Sequence, residues 1–162
     1  MNLKMTKISA STITPWTYRG QTITDISQVP KGAFGFVYLL TNLTNGRKYI
    51  GKKVFFNHTT KRLTKKEIKN LPDKRASKYK TIIKESNWLV YTGSNQKLND
   101  DIKNGAVIHR EILLFVFSKR MLTYAETKAL FCYEVLESEE YYNENILNRF
   151  YKNEELLQYR CD

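Results

Sequence analysis

Two β-favouring runs, Phe36–Thr41 and Lys48–Lys53, flank the tetrapeptide Leu43-Thr44-Asn45-Gly46. Asn-Gly accepts the positive φ angles that a tight antiparallel reversal needs, so the stretch predicts a β-hairpin. Such a hairpin must bury its apolar face against other segments of the chain. The sequence supplies the means. Thr92-Gly93-Ser94-Asn95 offers capping residues ahead of QKLNDDIKNG, a short helix stopped at Gly105. Val107–Phe117 contains the unbroken apolar run Ile112–Phe117, which predicts a central strand covered on both faces. Thr123 is read as the cap of a helix over Tyr124–Glu137, and the tail YYNENILNRFYKNEELL as a further short helix.

The expected fold is α/β of the α+β type: a small, mainly antiparallel three-stranded sheet flanked by helices, with a basic insert after the hairpin. Residues 1–34, interrupted by Pro15, Gly20, Pro30 and Gly32, are read as an N-terminal arm, extended or forming a short strand pair. The main domain is set at 35–146, its insert at 54–86 and a C-terminal tail at 147–162. Within the insert, helices are expected around Lys65–Asn70 and Ala76–Glu85, separated by Pro72. At 162 residues, the chain suits one core rather than two.

The formal charge of +11 is concentrated in one segment. Between Arg47 and Lys84 stand fourteen Lys or Arg against Glu67 and Asp73, a net of +12, so the remainder sums to −1. A polyanion is the natural partner for such a patch, because each neutralised phosphate releases counterions. Anionic membrane is the competing partner, but KRLTKKEIKNLPDKRASKYK lacks the wide apolar face of an interfacial helix. No apolar run is long enough to span a bilayer and the N-terminus does not read as a signal peptide, so a cytoplasmic setting is expected. Cys132 and Cys161 are the only cysteines, and His58 and His109 stand far apart, so neither a disulfide framework nor a zinc site is drawn.

Phe36-Val37-Tyr38 and Tyr49-Ile50-Gly51 together resemble the paired signature of the GIY-YIG nuclease superfamily, whose two tripeptides sit on adjacent antiparallel strands joined by a hairpin. Ten residues separate Tyr38 from Tyr49; Gly35 precedes the first tripeptide, and Phe36 stands where glycine is usual. The likeness extends over about residues 35–145: helix, third strand, then a helix bearing an acidic residue, here Glu126, with Asn143 downstream. The insert, Lys84-Glu85-Ser86-Asn87-Trp88 and Tyr91–Asn95 look like nucleases of tailed bacteriophages, which would make the setting a host cytoplasm.

This resemblance implies a metal-dependent endonuclease acting on DNA, most naturally duplex. Glu126 would hold a divalent ion, Mg²⁺ or Mn²⁺, an arrangement that one carboxylate supports when water and phosphate oxygens complete the shell. Tyr38 and Tyr49 would belong to the active site, one as general base or partner of the attacking water. Asn143 would support the site. Strand alternation puts Tyr49, Gly51 and Lys53 on one face, so Lys53 is expected in the groove and Lys52 elsewhere unless the strand bulges. An arginine is expected soon after the second tripeptide, but Thr59 stands eight residues beyond Gly51; Arg62, Arg75 and Lys84 are the substitutes. Gly51 would admit the DNA backbone; Lys52, Lys61, Lys65, Lys66, Ser94 and Asn95 are read as further DNA contacts, with Tyr91 and Trp88 considered as stacking groups and Trp88 favoured as core. Two rival readings remain: a non-catalytic nucleic-acid-binding protein descended from a nuclease, and a basic structural or RNA-associated protein.

Overall fold

The computed structural model describes residues 12–159. In chain order its strands and helices are β1 (Ile13–Tyr18), β2 (Gln21–Ile23), β3 (Gly35–Asn42), β4 (Lys48–Val54), β5 (Phe56–Arg62), α1 (Lys65–Lys69), β6 (Tyr79–Glu85), α2 (Gln96–Lys103), β7 (Ile108–Val116), α3 (Lys119–Cys132), β8 (Asn145–Ile146), β9 (Phe150–Tyr151) and α4 (Glu154–Gln158). The expected hairpin is β3–β4, in register from Gly35↔Val54 to Thr41↔Lys48. Gly46 takes a φ of +77° in its turn, a conformation open to glycine at little cost.

The main sheet has five strands in the order β2-β1-β7-β3-β4, rather than the three expected. The extra pair comes from residues 13–23, which form the short strand pair that was one of the two readings of this segment; residues 1–11 lie outside the described part. β1 runs parallel to β7, while the other pairings in this sheet are antiparallel. Trp16 secures the addition: its ring is fully buried and its indole N–H donates to the Trp88 carbonyl at 2.7 Å.

As expected, β7 is central and has apolar clusters on both sides. An aromatic-rich cluster contains Trp16, Phe36, Tyr38, Phe55, Trp88 and Ile112, whereas α3 covers an aliphatic one that includes Val37, Ile50, Val116, Leu122 and Leu130. Each large apolar side chain taken fully from water contributes about 1.5–3 kcal/mol before chain entropy is charged against it. The pairing Val37↔Leu114 followed by Tyr38↔Ile112 leaves Leu113 as an extra residue, a β-bulge in β7 opposite the first tyrosine.

Three helical expectations need correction. Ala76–Glu85 is not a helix: Tyr79–Glu85 is strand β6, paired with β5 along seven residues. Thr81, Ile82 and Ile83 are β-branched and favour extended backbone, and β5 satisfies their ladder. α3 starts at Lys119 because Ser118, not Thr123, caps it by accepting from the Met121 N–H; it ends at Cys132, followed by Glu134 with a φ of 51°. The tail forms the β8–β9 hairpin before the five-residue α4. α1 and α2 occur where expected, with Asn95 capping α2 and Gly105 (φ +94°) beyond its end.

Candidate active site

β4 lies at the edge of the sheet, and the site wraps around it. On the aromatic side, Tyr38 and Tyr49 face each other with ring centroids 6.3 Å apart, and Tyr91 closes on Tyr38 at 6.2 Å. The glycines make that meeting possible. A Cβ on Gly51 would stand 2.7 Å from Tyr38 Cζ and 3.1 Å from Tyr49 Cε1; one on Gly93, itself at φ +84°, would stand 2.8 Å from Tyr49 Cε1. Gly51 therefore makes room for two phenol rings, not the free surface expected for an approaching DNA backbone.

On the other side of β4, Lys52 Nζ lies 2.8 Å from a Glu126 carboxylate oxygen and donates to the Thr123 hydroxyl at 3.3 Å. Glu126 projects from α3, which packs on the aliphatic face. Alternation assigned the two lysines to the correct faces, but the carboxylate waits on Lys52's face, so Lys52 and not Lys53 meets it. Lys53 Nζ lies 3.9 Å from the Tyr91 ring centroid and 2.7 Å from Asn87 Oδ1. Burial pushes the Lys53 ammonium below its ordinary pKa.

The two sides open into a common cleft of about 630 Å³ lined by residues that include Tyr49, Lys52, Ser94, Glu126, Thr127 and Asn143. Asn143 is buried and grips the edge strand at both ends of its amide: Oδ1 accepts from the Ile50 N–H at 3.0 Å, and Nδ2 donates to the Ile50 carbonyl at 2.8 Å. Asn95 also lines the cleft while capping α2 and donating to the Tyr142 carbonyl at 2.9 Å. Tyr49 Oη and Ser94 Oγ share a hydrogen bond at 3.3 Å.

Burial pushes the Tyr38 phenol well above its ordinary pKa, with Tyr49, Tyr91 and Glu126 adding in the same direction. The Tyr49 phenol is raised too, chiefly by burial and in part opposed by its hydrogen bond with Ser94. Tyr38 is 1% exposed and contributes from behind, whereas Tyr49 lines the cleft.

The remaining basic candidates are not gathered here. Lys61 and Arg62 end β5, Lys65 and Lys66 lie in α1, and Arg75 lies between α1 and β6. With about 3.3 Å per strand residue, the far end of β5 is about 20 Å from its root. Lys84, opposite Asn57, is the candidate nearest the root. No arginine lines the cleft among the described residues. Trp88 is fully buried and donates from Nε1 to Glu85 at 2.7 Å, a core role. Tyr91, weighed only as a stacking group, proves to be the ring between Tyr38 and Lys53; only its proximity to the Gly93 turn hinted at this.

For a divalent ion, the donors form a sparse set. Among the described residues, no three His, Cys, Asp or Glu side chains converge. Glu126 alone fits a hard cation that keeps most of its waters, and Lys52 presently neutralises that carboxylate.

The five-stranded mixed sheet thus carries two facing tyrosines on one side, with a helical glutamate brought around its edge strand on the other. The family model described as "Putative endonuclease segE, GIY-YIG domain" matches residues 16–146, and the chain belongs to that family. Comparison with curated proteins and with solved structures gives no match. Among the described residues, no helix is long and apolar enough to cross a membrane.

Proposed function

We propose that the protein is a metal-dependent endonuclease that hydrolyses phosphodiester bonds in duplex DNA, with Mg²⁺ or Mn²⁺ at Glu126. The observation that carries this reading is the convergence of the Tyr49 phenol and the Glu126 carboxylate on one cleft from opposite faces of β4. When bound, the ion would supply charge neutralisation at phosphate and acidify a coordinated water. Tyr49, a phenol that is neutral near physiological pH and that burial holds further in that form, orients the attacking water through its phenol oxygen. Tyr38 is a positioning residue that fixes the Tyr49 ring. Lys52, whose ammonium now pairs with Glu126 at the cleft, would be available to a phosphate oxygen if Glu126 held the ion. Lys53 holds a second positive charge beside Tyr91. Asn143 fixes the backbone of the strand between the two faces.

That no arginine stands among the described residues lining the cleft favours a second reading, a DNA-binding protein without chemistry. A plasmid-nicking assay with and without Mg²⁺ separates the two. Nicking that requires metal, and that Glu126→Gln lowers by about 100-fold or more while DNA binding persists, supports the enzyme. Salt-sensitive binding with no nicking by either protein replaces the enzyme with the binding reading.

A further inference from the structure

The β5–β6 ribbon is the part of the molecule that the cleft does not use. All fourteen of its residues are exposed, so neither face is covered. A two-stranded ribbon in water is marginal by itself, and this one is held at its root. Phe55, just before β5, and Trp88, just after β6, are both fully buried with ring centroids 5.1 Å apart. Ser86 donates from its backbone to the Phe55 carbonyl at 2.8 Å and from its hydroxyl to the Val54 carbonyl at 2.6 Å. The ribbon thus continues directly from the strand that carries Tyr49 and Lys52.

Its two faces differ. One face presents Asn57, Thr59 and Lys61 opposite Lys84, Ile82 and Lys80, with no acidic residue of either strand on that face; the other presents Phe56, His58, Thr60 and Arg62 opposite Glu85, Ile83, Thr81 and Tyr79. Lys80 also pairs with Glu67 of α1 at 2.5 Å, drawing that basic helix towards the lysine face. A B-DNA major groove is wide enough for a two-stranded ribbon. Seven residues per strand extend about 20 Å, the length of about six base pairs. Asn, Lys and Thr on the lysine face can meet base-edge donors, acceptors and the thymine methyl, while the lysines of α1 suit phosphates.

We propose that the β5–β6 ribbon lies in the major groove of duplex DNA with its lysine face toward the bases, holding the cleft against the adjoining backbone. This rests on the reading of duplex DNA as the substrate. A-form RNA is not a suitable occupant, because its major groove is too narrow to admit side chains.

The test measures affinity of the full chain, without divalent metal, for a short B-form duplex, the same duplex with 7-deazaguanine for guanine, and the duplex saturated with netropsin in its minor groove. Deazaguanine should weaken binding and netropsin should leave it intact. Asn57→Ala/Thr59→Ala/Lys61→Ala/Lys84→Ala should weaken binding about tenfold or more, whereas His58→Ala/Thr60→Ala/Ile83→Ala should change it by less than about threefold. Lys61→Gln/Lys84→Gln, which retains two long side chains, gives the same ranking should the larger set unfold. Netropsin competition without a deazaguanine effect, equal losses from the two faces, or equal affinity for duplex RNA would overturn the proposal. Ribbon-dependent binding with no Mg²⁺-dependent nicking leaves this placement standing and removes the enzyme reading. Nicking that is indifferent to the lysine-face substitutions does the reverse, and absence of DNA binding removes both.

Discussion

The chain makes two antiparallel hairpins in succession, β3–β4 and β5–β6, with seven paired positions in each, yet they meet opposite fates. In β3, Phe36, Val37, Tyr38 and Leu40 are buried, whereas every residue of β5 and β6 is exposed. The ladder hydrogen bonds are of one kind, so the difference lies in the side chains. Apolar groups on both faces of β3 give the first hairpin an interior to form; in the second, Phe56, Tyr79, Ile82 and Ile83 are scattered among Thr, Lys and Arg and stay exposed. Backbone pairing sets the shape, and burial decides which hairpin is structural and which is free to meet a partner.

The largest effect that would break this contrast is the loss of a core ring. Phe36 contacts Trp16, Tyr38, Phe55 and Trp88, so Phe36→Ala should cost about 3–5 kcal/mol in urea unfolding. Ile83→Ala in the ribbon should stay within about 0.5 kcal/mol. Equal costs would mean that the ribbon is buried in solution. A smaller effect is expected at Gly51, where an added methyl would press on Tyr38 and Tyr49. Gly51→Ala should lose about 1–3 kcal/mol, while Thr60→Ala in the ribbon should lose little. The smallest effect appears only in alkali. Tyr38 is buried as the neutral phenol and its folded pKa is raised, so its contribution is complete below the unfolded value near 10 and declines as pH climbs toward the folded value. Urea midpoints at pH 7 and 11 should show wild type losing up to about 1.4 kcal/mol per pH unit more than Tyr38→Phe. Parallel curves would place Tyr38 in contact with water.

The features legible in the sequence are those set locally or by continuous apolar runs. Asn45-Gly46 marked the first hairpin, Asn95 and Gly105 bounded α2, and Ile112–Phe117 marked the central strand. β6 is not legible in YKTIIKE because both its faces are wet, so neither period two nor a helical stripe appears; its partner β5 supplies the missing information. The two tyrosines and Glu126 are legible through the family pattern; Tyr49 and Glu126 line one cleft, and Tyr38 stands behind Tyr49. Lys52 was harder to place, because alternation says which face a side chain takes but not which helix crosses that face. β1 and β2 lie in a segment whose Pro and Gly residues mask its role, and only the contact of β1 with β7 gives it a place in the sheet.

Asn143 has a consequence beyond the cleft. An outer strand normally displays a row of unsatisfied amides and carbonyls on which another polypeptide can build. At Ile50, both groups are taken by one side-chain amide, and the Lys48 carbonyl accepts from the Tyr142 N–H at 2.7 Å. The segment after α3 thus imitates a neighbouring strand for a few ångströms without becoming one. It blunts the border against accretion of a second copy, so the strand bearing Tyr49 can stay at the rim, where a long polymer has access, without becoming a seed for fibre growth.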